Sequence, residues 1–202
     1  AADFVERYGF AFLFAPMYHG AMRFAAPVRK DIGIKTIMNL LGPLVNPAGA
    51  EYQLIGVYDP ALCRPMVEAA AMLGVKRAFV VHGMDGIDEI SVSASTKMVR
   101  LDEDGKISEE IFDPASLGIK TYPAEDILGG DADSNAEVAM ELAEGKGPEA
   151  VREAVLLNAG AAIHIYGKAA SLAEGYESAK AALDSGKVLE KIGALRASLK
   201  PA

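Results

Sequence analysis

Thirteen residues decide the fold of this chain: Arg77-Ala78-Phe79-Val80-Val81-His82-Gly83-Met84-Asp85-Gly86-Ile87-Asp88-Glu89. The apolar run from Ala78 to Val81 is bounded by turn residues, a pattern typical of a buried parallel strand. In open α/β sheets, ligands bind outside the carboxyl ends of such strands. The stretch therefore predicts a buried strand, followed by a glycine-punctuated loop that presents Asp88 and Glu89 at a ligand-binding edge.

The neighbouring segments extend this strand into an α/β fold. Residues 53–58 predict a strand and residues 60–73 a helix, which together with residues 77–81 make a right-handed βαβ unit. Alternating residues at 96–101 and 106–112, separated by the turn sequence Asp102-Glu103-Asp104-Gly105, predict an antiparallel hairpin. We expect a mainly parallel central sheet flanked by helices, with a short antiparallel excursion.

The remaining segments are predicted from local signals. We expect a helix at residues 2–8 that ends at Gly9, a short buried strand at 10–15, and a rigid loop at 42–47 because Gly-Pro and Asn-Pro dipeptides mark turns. Further helices are predicted at residues 17–26, 27–33, 131–144, 148–167, 171–183 and 187–199. No linker composition divides the chain, so we expect a single α/β domain over residues 1–202.

Composition restricts the classes of function. The chain has 51% apolar residues and a net charge of −8. Residues 1–60 hold five acidic and five basic side chains, which leaves 23 acidic (28 less 5) and 15 basic (20 less 5) beyond them. This acidity argues against binding nucleic acid. No apolar run reaches the length of a membrane span, and the start lacks the order of a signal peptide, so we expect a cytoplasmic protein with no membrane partner.

Two groups of polar residues are candidates for binding. Asp88 and Glu89 offer carboxylate oxygens on one loop, which suits Mg²⁺ that also carries a substrate phosphate, although a solvated acidic turn would have the same sequence. His19 falls at a predicted strand-to-helix edge, where it is either structural or part of a binding site. It lies near Arg23 and Arg29, which belong to a locally basic stretch. Asn158, within a predicted helix, is expected to be a satisfied polar residue of the core.

Several stretches together resemble the anthranilate phosphoribosyltransferases, enzymes of the tryptophan pathway, in their larger α/β domain. Each stretch is a weak signal, and their order and spacing make the resemblance specific. They are Phe14-Ala15-Pro16 through His19, Ala21-Met22-Arg23, Pro27-Val28-Arg29, Gly33, Thr36, Asn39-Leu40-Leu41-Gly42-Pro43-Leu44 with Asn46-Pro47, His82 through Glu89, and Asn158-Ala159 to Gly167-Lys168-Ala169.

The resemblance implies a large domain like that of nucleoside phosphorylases and phosphoribosyltransferases, and roles for five residues. Asp88 and Glu89 match the family's acidic pair, which binds Mg²⁺ together with phosphoribosyl pyrophosphate. Arg29 matches an arginine that contacts anthranilate, and His19 and Pro43 would line the same pocket. The implied reaction gives phosphoribosyl anthranilate and pyrophosphate, and the implied full-length protein is a homodimer.

The sequence also departs from this family. The family's glycine-rich Gly-Thr-Gly-Gly-Asp loop occurs nowhere in the chain, and neither does its N-terminal helical domain. We therefore expect a C-terminal fragment of a longer enzyme that is inactive alone. Two alternatives stay open: a pyrimidine nucleoside phosphorylase-like enzyme that shares the architecture, and a non-catalytic paralogue that binds a protein or nucleic acid.

Overall fold

The computed structural model describes residues 1–13, 15–18, 31 and 40–198. The chain divides into two compact units: the first contains Ala1–Gly49 and Lys191–Ala202, and the second contains Ala50–Glu190. Among the described residues, no helix is both long enough and apolar enough to cross a membrane.

Before residue 50, the described residues of the first unit form three short helices: α1 (Ala2–Tyr8), α2 (Ala15–Tyr18) and α3 (Leu41–Leu44). Helix α1 ends where predicted, because Gly9 adopts the left-handed conformation and its N–H donates to the Val5 carbonyl. The buried strand predicted at residues 10–15 is wrong over its described part. Residues 10–13 form no regular element, Phe12 is 77% exposed, and Ala15 already begins α2.

A four-stranded sheet organises the second unit. Its strands are β1 (Tyr52–Gly56), β2 (Arg77–Gly83), β3 (Thr96–Leu101) and β4 (Ile107–Phe112), in the order β1-β2-β3-β4. Strand β1 pairs with β2 in parallel, whereas the pairs β2/β3 and β3/β4 are antiparallel. The predicted α/β class, βαβ unit and hairpin are confirmed. Among the described strands, the antiparallel excursion supplies two of the three pairings.

The described helices of this part of the chain lie between β1 and β2 and after β4. Helix α4 (Cys63–Met72) follows a 3₁₀ turn at Pro60–Leu62, whose Asp59 cap accepts a hydrogen bond from Ala61 N–H, and it packs against β2 and β3. Helices α5 (Ala132–Ala143), α6 (Glu149–Ile165) and α7 (Leu172–Asp184) follow the hairpin. Helix α8 (Lys187–Ser198) contains the boundary between the units.

The core of the second unit lies between the sheet and helices α6 and α7. Phe79 and Val81 of β2 pack there with Leu156, Leu157 and residues of α7. The intervening Val80 points to the opposite face of the strand and is also buried. Burial on both faces of β2 explains why its sequence is continuously apolar rather than alternating.

Candidate metal and substrate site

The loop after β2 is shaped by its glycines. Gly83 N–H donates to the Ile87 carbonyl at 2.9 Å, and Gly86 N–H donates to the Gly83 carbonyl at 2.8 Å. Gly86 has a φ of 99°, a conformation that side chains disfavour. A Cβ on Gly83 would lie 2.5 Å from the Asp85 carboxylate and from Ile87 Cγ2. Gly86 thus supplies the backbone conformation of the tight turn that leads to Asp88, and Gly83 leaves room for the side chains of Asp85 and Ile87.

The outgoing half of the loop is held by Ser91. Its Oγ donates to Asp85 Oδ2 at 2.7 Å and accepts from the N–H groups of Ser93 and Ala94 at 2.9 and 3.0 Å. The N–H of Ser91 donates to Thr96 Oγ1 at 2.9 Å. These four bonds join both halves of the loop to the start of β3, so the chain around the acidic pair is well fixed.

His82 joins this edge of the sheet to the end of β1. The residue is only 6% exposed, and its Nδ1 lies 2.8 Å from the Val57 carbonyl oxygen. Because a carbonyl oxygen can only accept, Nδ1 carries the proton and donates. Val57 N–H in turn donates to the Val81 carbonyl at 3.0 Å. His82 is thus a structural residue that extends the β1–β2 contact beyond the parallel ladder.

Asp88 and Glu89 lie at this edge with both side chains exposed. The backbone of Asp88 packs directly on Gly56, where a Cβ would lie 1.5 Å from the Asp88 carbonyl oxygen. Desolvation by neighbouring protein atoms, followed by the negative charge of Asp88, raises the pKa of the Glu89 carboxyl above its ordinary value. Within residues 1–13, 15–18, 31 and 40–198, neither carboxylate forms an ion pair.

Asn158 of α6 fixes the residue after this pair. Its Oδ1 accepts from Ile90 N–H at 3.0 Å, and its Nδ2 donates to the carbonyls of Ile90 and Ala154 at 3.0 and 2.9 Å. The prediction of a satisfied polar residue is confirmed. Its partner at the acidic loop was not foreseen, because 68 residues separate the two positions and no local pattern connects them.

The donor set of the loop fits a hard divalent cation bound in part by other groups. Asp88 and Glu89 supply only oxygen ligands, and a cation would relieve the repulsion between their charges, which adds to desolvation in raising the Glu89 pKa. In the described part of the chain, no group of three or more His, Cys, Asp or Glu side chains could enclose a metal. Mg²⁺ commonly binds through one or two carboxylates plus water and substrate phosphates, which matches two carboxylates on an exposed loop.

Of the three residues predicted to bind anthranilate, the described part of the chain includes only Pro43. Pro43 lies within the single turn of α3 in the first unit, where it is half-buried, so the loop predicted at residues 42–47 begins as a helical turn. After this turn Asn46 Oδ1 accepts from Ala48 N–H at 2.9 Å. His19 and Arg29 lie outside the described residues. The described structure therefore brings together Asp88 and Glu89, and it leaves the other three predicted positions as predictions.

Comparison with known proteins identifies the relatives of this chain. It is 45% identical over 196 residues to the anthranilate phosphoribosyltransferase of Persephonella marina, a match that covers 97% of this chain and 58% of that protein. The crystal structure of the Thermus thermophilus enzyme of the same name superimposes with a TM-score of 0.88 at 40% identity, covering 95% of this chain and 56% of that one. The Saccharomyces cerevisiae enzyme in complex with PRPP and Mg gives a TM-score of 0.82 at 26% identity, covering 93% and 54%.

The chain thus spans a little more than half the length of the relatives that it matches. Its resemblance to anthranilate phosphoribosyltransferases, noted from short motifs, extends over nearly all of its own length. The sequence profile of the α/β domain of a glycosyl transferase family matches residues 1–189. The chain belongs to this glycosyl transferase family.

Proposed function

We propose that the protein containing this chain transfers a phosphoribosyl group from phosphoribosyl pyrophosphate to anthranilate, giving phosphoribosyl anthranilate for tryptophan biosynthesis. The observation that carries the proposal is the loop after β2, which presents Asp88 and Glu89 together, exposed and without an ion pair among the described residues. The names of the relatives support it, as does the yeast complex with PRPP and Mg. Because the chain spans little more than half of those relatives, the proposal concerns the whole protein.

In this proposal Asp88 and Glu89 hold Mg²⁺. When bound, the cation would offset negative charge on the departing pyrophosphate. The two side chains supply the protein's share of its oxygen ligands, and substrate phosphate and water supply the rest. Desolvation raises the pKa of Glu89 most and the charge of Asp88 adds to it, and two like charges that repel each other without a cation attract one when it is present.

The acceptor side is assigned to Arg29, His19 and Pro43 by family resemblance. The guanidinium group of Arg29 would bind the anthranilate carboxylate through two parallel charge-assisted hydrogen bonds, and His19 and Pro43 would line the wall of that pocket. The aromatic amine then attacks the anomeric carbon of the ribose. The new C–N bond forms as the C–O bond to pyrophosphate breaks, and the amine then loses a proton to solvent.

The proposed reaction and the family resemblance also suggest where the whole protein acts and how it assembles. We infer that the protein acts in the cytoplasm, because its substrates are small polar metabolites of biosynthesis and the described helices include none that could span a membrane. We infer a homodimer for the full-length protein from the family resemblance. Sedimentation of the full-length protein at catalytic concentration tests this, and a monomeric active enzyme would contradict it.

The reaction is tested directly by supplying anthranilate, phosphoribosyl pyrophosphate and Mg²⁺ to the full-length protein. We expect anthranilate fluorescence to fall, with one pyrophosphate released for each anthranilate consumed, and EDTA to stop the reaction. We expect the 202 residues alone to show no turnover, because their sequence contains no glycine-rich Gly-Thr-Gly-Gly-Asp loop to hold pyrophosphate. Phosphate-dependent cleavage of pyrimidine nucleosides, without reaction of anthranilate, would overturn the proposal.

The metal assignment has its own variants. Asp88→Asn and Glu89→Gln should raise the Mg²⁺ concentration needed for half-maximal rate by about 100-fold, the upper end of what changes around metal sites cause. Glu109→Gln is the matched control, since it also removes one of two adjacent carboxylates but lies on β4. An unchanged Mg²⁺ requirement in both loop variants would exclude these residues as ligands.

The acceptor assignment is tested separately with Arg29→Ala. Loss of the bidentate contact should raise the KM for anthranilate far more than the KM for phosphoribosyl pyrophosphate. Arg64→Ala is a suitable control, because Arg64 lies on α4 and pairs with Glu68 on the exposed side of that helix. Equal effects of Arg29→Ala on both substrates would move Arg29 out of the acceptor pocket.

A further inference from the structure

The side-chain amide of Asn158 binds both polar backbone groups of a single residue, Ile90. One bond would hold only one of the two peptide groups that flank Ile90, whereas the pair, at 3.0 Å each, holds the peptide group before Ile90 and the one after it. The orientation of the amide follows from its partners. If Oδ1 and Nδ2 were exchanged, the oxygen would face the carbonyl oxygens of Ile90 and Ala154, neither of which can donate.

Asn158 is itself held by a rigid part of the fold. Helices α6 and α7 come into backbone contact two residues further along, where a Cβ on Gly160 would lie 2.5 Å from Tyr176 N and a Cβ on Gly175 would lie 2.2 Å from the Gly160 carbonyl oxygen. The side chain of Ile90 is 1% exposed and belongs to the same core cluster as residues of α6. Sites carried on packed helices are positioned more precisely than sites on loops.

Only two residues separate Ile90 from the other fixed point of the loop. Ile87 is fastened through its carbonyl, which accepts from Gly83 N–H at 2.9 Å. Asp88 and Glu89 therefore lie between one anchor on β2 and another on α6. Their like charges favour separation, and the two anchors restrain the backbone against it.

We propose that Asn158 is a positioning residue for the reaction: by holding Ile90, it keeps the carboxylates of Asp88 and Glu89 directed together towards a divalent cation. This inference rests on the proposed function. It adds a residue from a distant helix to the metal site and assigns that residue no contact with the metal. Its consequence is that loss of the Asn158 amide weakens metal binding while the acceptor pocket keeps its affinity.

The chain offers a matched control for this role. Asn135 of α5 makes the same pair of bonds to another loop, accepting from Gly130 N–H at 2.9 Å and donating to the Gly130 carbonyl at 3.1 Å. Asn158→Ala and Asn135→Ala therefore remove the same two kinds of hydrogen bond. Asn158→Ser, which is polar but too short to reach both groups of Ile90, serves as the second variant if Asn158→Ala does not fold.

Three measurements on the full-length protein test the inference. Amide hydrogen exchange at Ile90 should lose its protection in Asn158→Ala and keep it in Asn135→Ala. The Kd for Mn²⁺ in the presence of inorganic pyrophosphate, measured by electron paramagnetic resonance, should rise by about 10- to 100-fold in Asn158→Ala alone. Its turnover should recover at high Mg²⁺ concentration with the KM for anthranilate unchanged, which a general loss of folding would not produce.

The outcomes separate this inference from the proposed function. A wild-type protein that neither binds Mn²⁺ nor consumes anthranilate overturns both. A wild-type protein that does both, together with an Asn158→Ala variant whose Ile90 amide exchanges freely while its Mn²⁺ affinity is unchanged, overturns the inference alone. An equal loss of Mn²⁺ affinity in Asn135→Ala would also overturn it, because the effect would then not depend on the acidic loop.

Discussion

Two pairs of adjacent carboxylates in the second unit have similar sequences and opposite surroundings. On β4, Glu109 and Glu110 point to opposite faces of the sheet, and each meets a cation of β3: Lys97 Nζ lies 2.9 Å from Glu109, and Arg100 pairs with Glu110. In the loop after β2, Asp88 and Glu89 lack an ion pair within the described ranges. The strand directs its two glutamates to opposite faces, where each meets a cation. The loop leaves Asp88 and Glu89 close enough to repel each other.

The difference determines what each pair can do. The charges of the hairpin are already neutralised by diagonal neighbours across the β3/β4 ladder, and such cross-strand pairs stabilise the sheet. The charges of the loop have no cationic partner among the described residues, so in the proposed function they would attract a cation from outside the chain. An acidic dipeptide thus becomes a candidate metal site through the backbone that carries it rather than through its composition.

Gly56→Ala should have the largest effect, because it displaces the loop pair and leaves the hairpin untouched. The new Cβ would lie 1.5 Å from the Asp88 carbonyl oxygen, so the backbone of the loop or of β1 has to move. Overpacking of this kind costs about 1–3 kcal/mol in the free energy of unfolding, which urea denaturation measures. We also expect the variant to need more Mg²⁺ for turnover.

Gly193→Ala in α8 is the control for Gly56→Ala. A Cβ at Gly193 meets no atom within 4 Å, and alanine is favoured over glycine in a helix by up to about 1 kcal/mol. This variant should be as stable as the wild type or slightly more stable. A Gly56→Ala protein with unchanged stability and unchanged Mg²⁺ requirement would show that the close packing of Asp88 on β1 is unimportant.

Glu89→Gln should change the free energy of unfolding by less than Gly56→Ala does, and the direction of the change should differ between the loop pair and the hairpin pair. The raised pKa of Glu89 means that the folded protein binds this proton more tightly than the unfolded chain does. The free energy of unfolding therefore falls as the pH rises through the folded-state pKa, and the charged form of Glu89 opposes folding. Without divalent cations at pH 7, Glu89→Gln should be more stable than the wild type.

The pH dependence checks this explanation. Below the ordinary carboxyl pKa of 4.5, Glu89 is protonated in both states, so the advantage of the glutamine should vanish. Urea denaturation in EDTA at pH 7 and below pH 4.5 gives both values. A variant that is less stable than the wild type at pH 7 would mean that Glu89 has a cationic partner, and its loop would then resemble the hairpin.

Local patterns in the sequence predicted much of this molecule. The apolar run of β2, the glycines of the loop after it and the turn at residues 102–105 each reflect neighbours in the chain, and the structure has each where it was predicted. The contacts of Gly56 and Asn158 could not be predicted, because their partners lie 32 and 68 residues away in sequence and no local rule selects them.

The wrong prediction has a related cause. The apolar residues from Phe10 onwards suggested a buried strand, but burial depends on what packs against a segment, and the sequence of that segment alone does not contain this information. For the candidate site, the sequence of the loop after β2 allowed a metal at Asp88 and Glu89, but a solvated acidic turn was the simpler interpretation of the same residues. The fastening of the loop at Ile87, Ile90 and Ser91 now favours an ordered site.

The smallest expected effect comes from Glu110→Gln, which changes the pair on the hairpin and leaves the loop pair intact. The substitution removes the carboxylate partner of Arg100, and exposed ion pairs of this kind stabilise proteins by about 0.2–1 kcal/mol. Arg100 keeps its position over the ring of Phe79, 4.7 Å from the centroid, which limits the loss. The difference in the free energy of unfolding should shrink at about 1 M salt, where charges are screened within about 3 Å.

The sign of the Glu110→Gln effect matters more than its size. Removing a charge from the hairpin should lower stability at pH 7, whereas removing one from the loop should raise it, although both changes replace a glutamate by a glutamine. Glu110→Gln should also leave the Mg²⁺ requirement unchanged, because its partner is a protein cation. If both variants changed the free energy of unfolding in the same direction, the loop and the strand would not differ in how they place their carboxylates. The repulsion between Asp88 and Glu89 would then no longer be a reason to expect a metal in the loop.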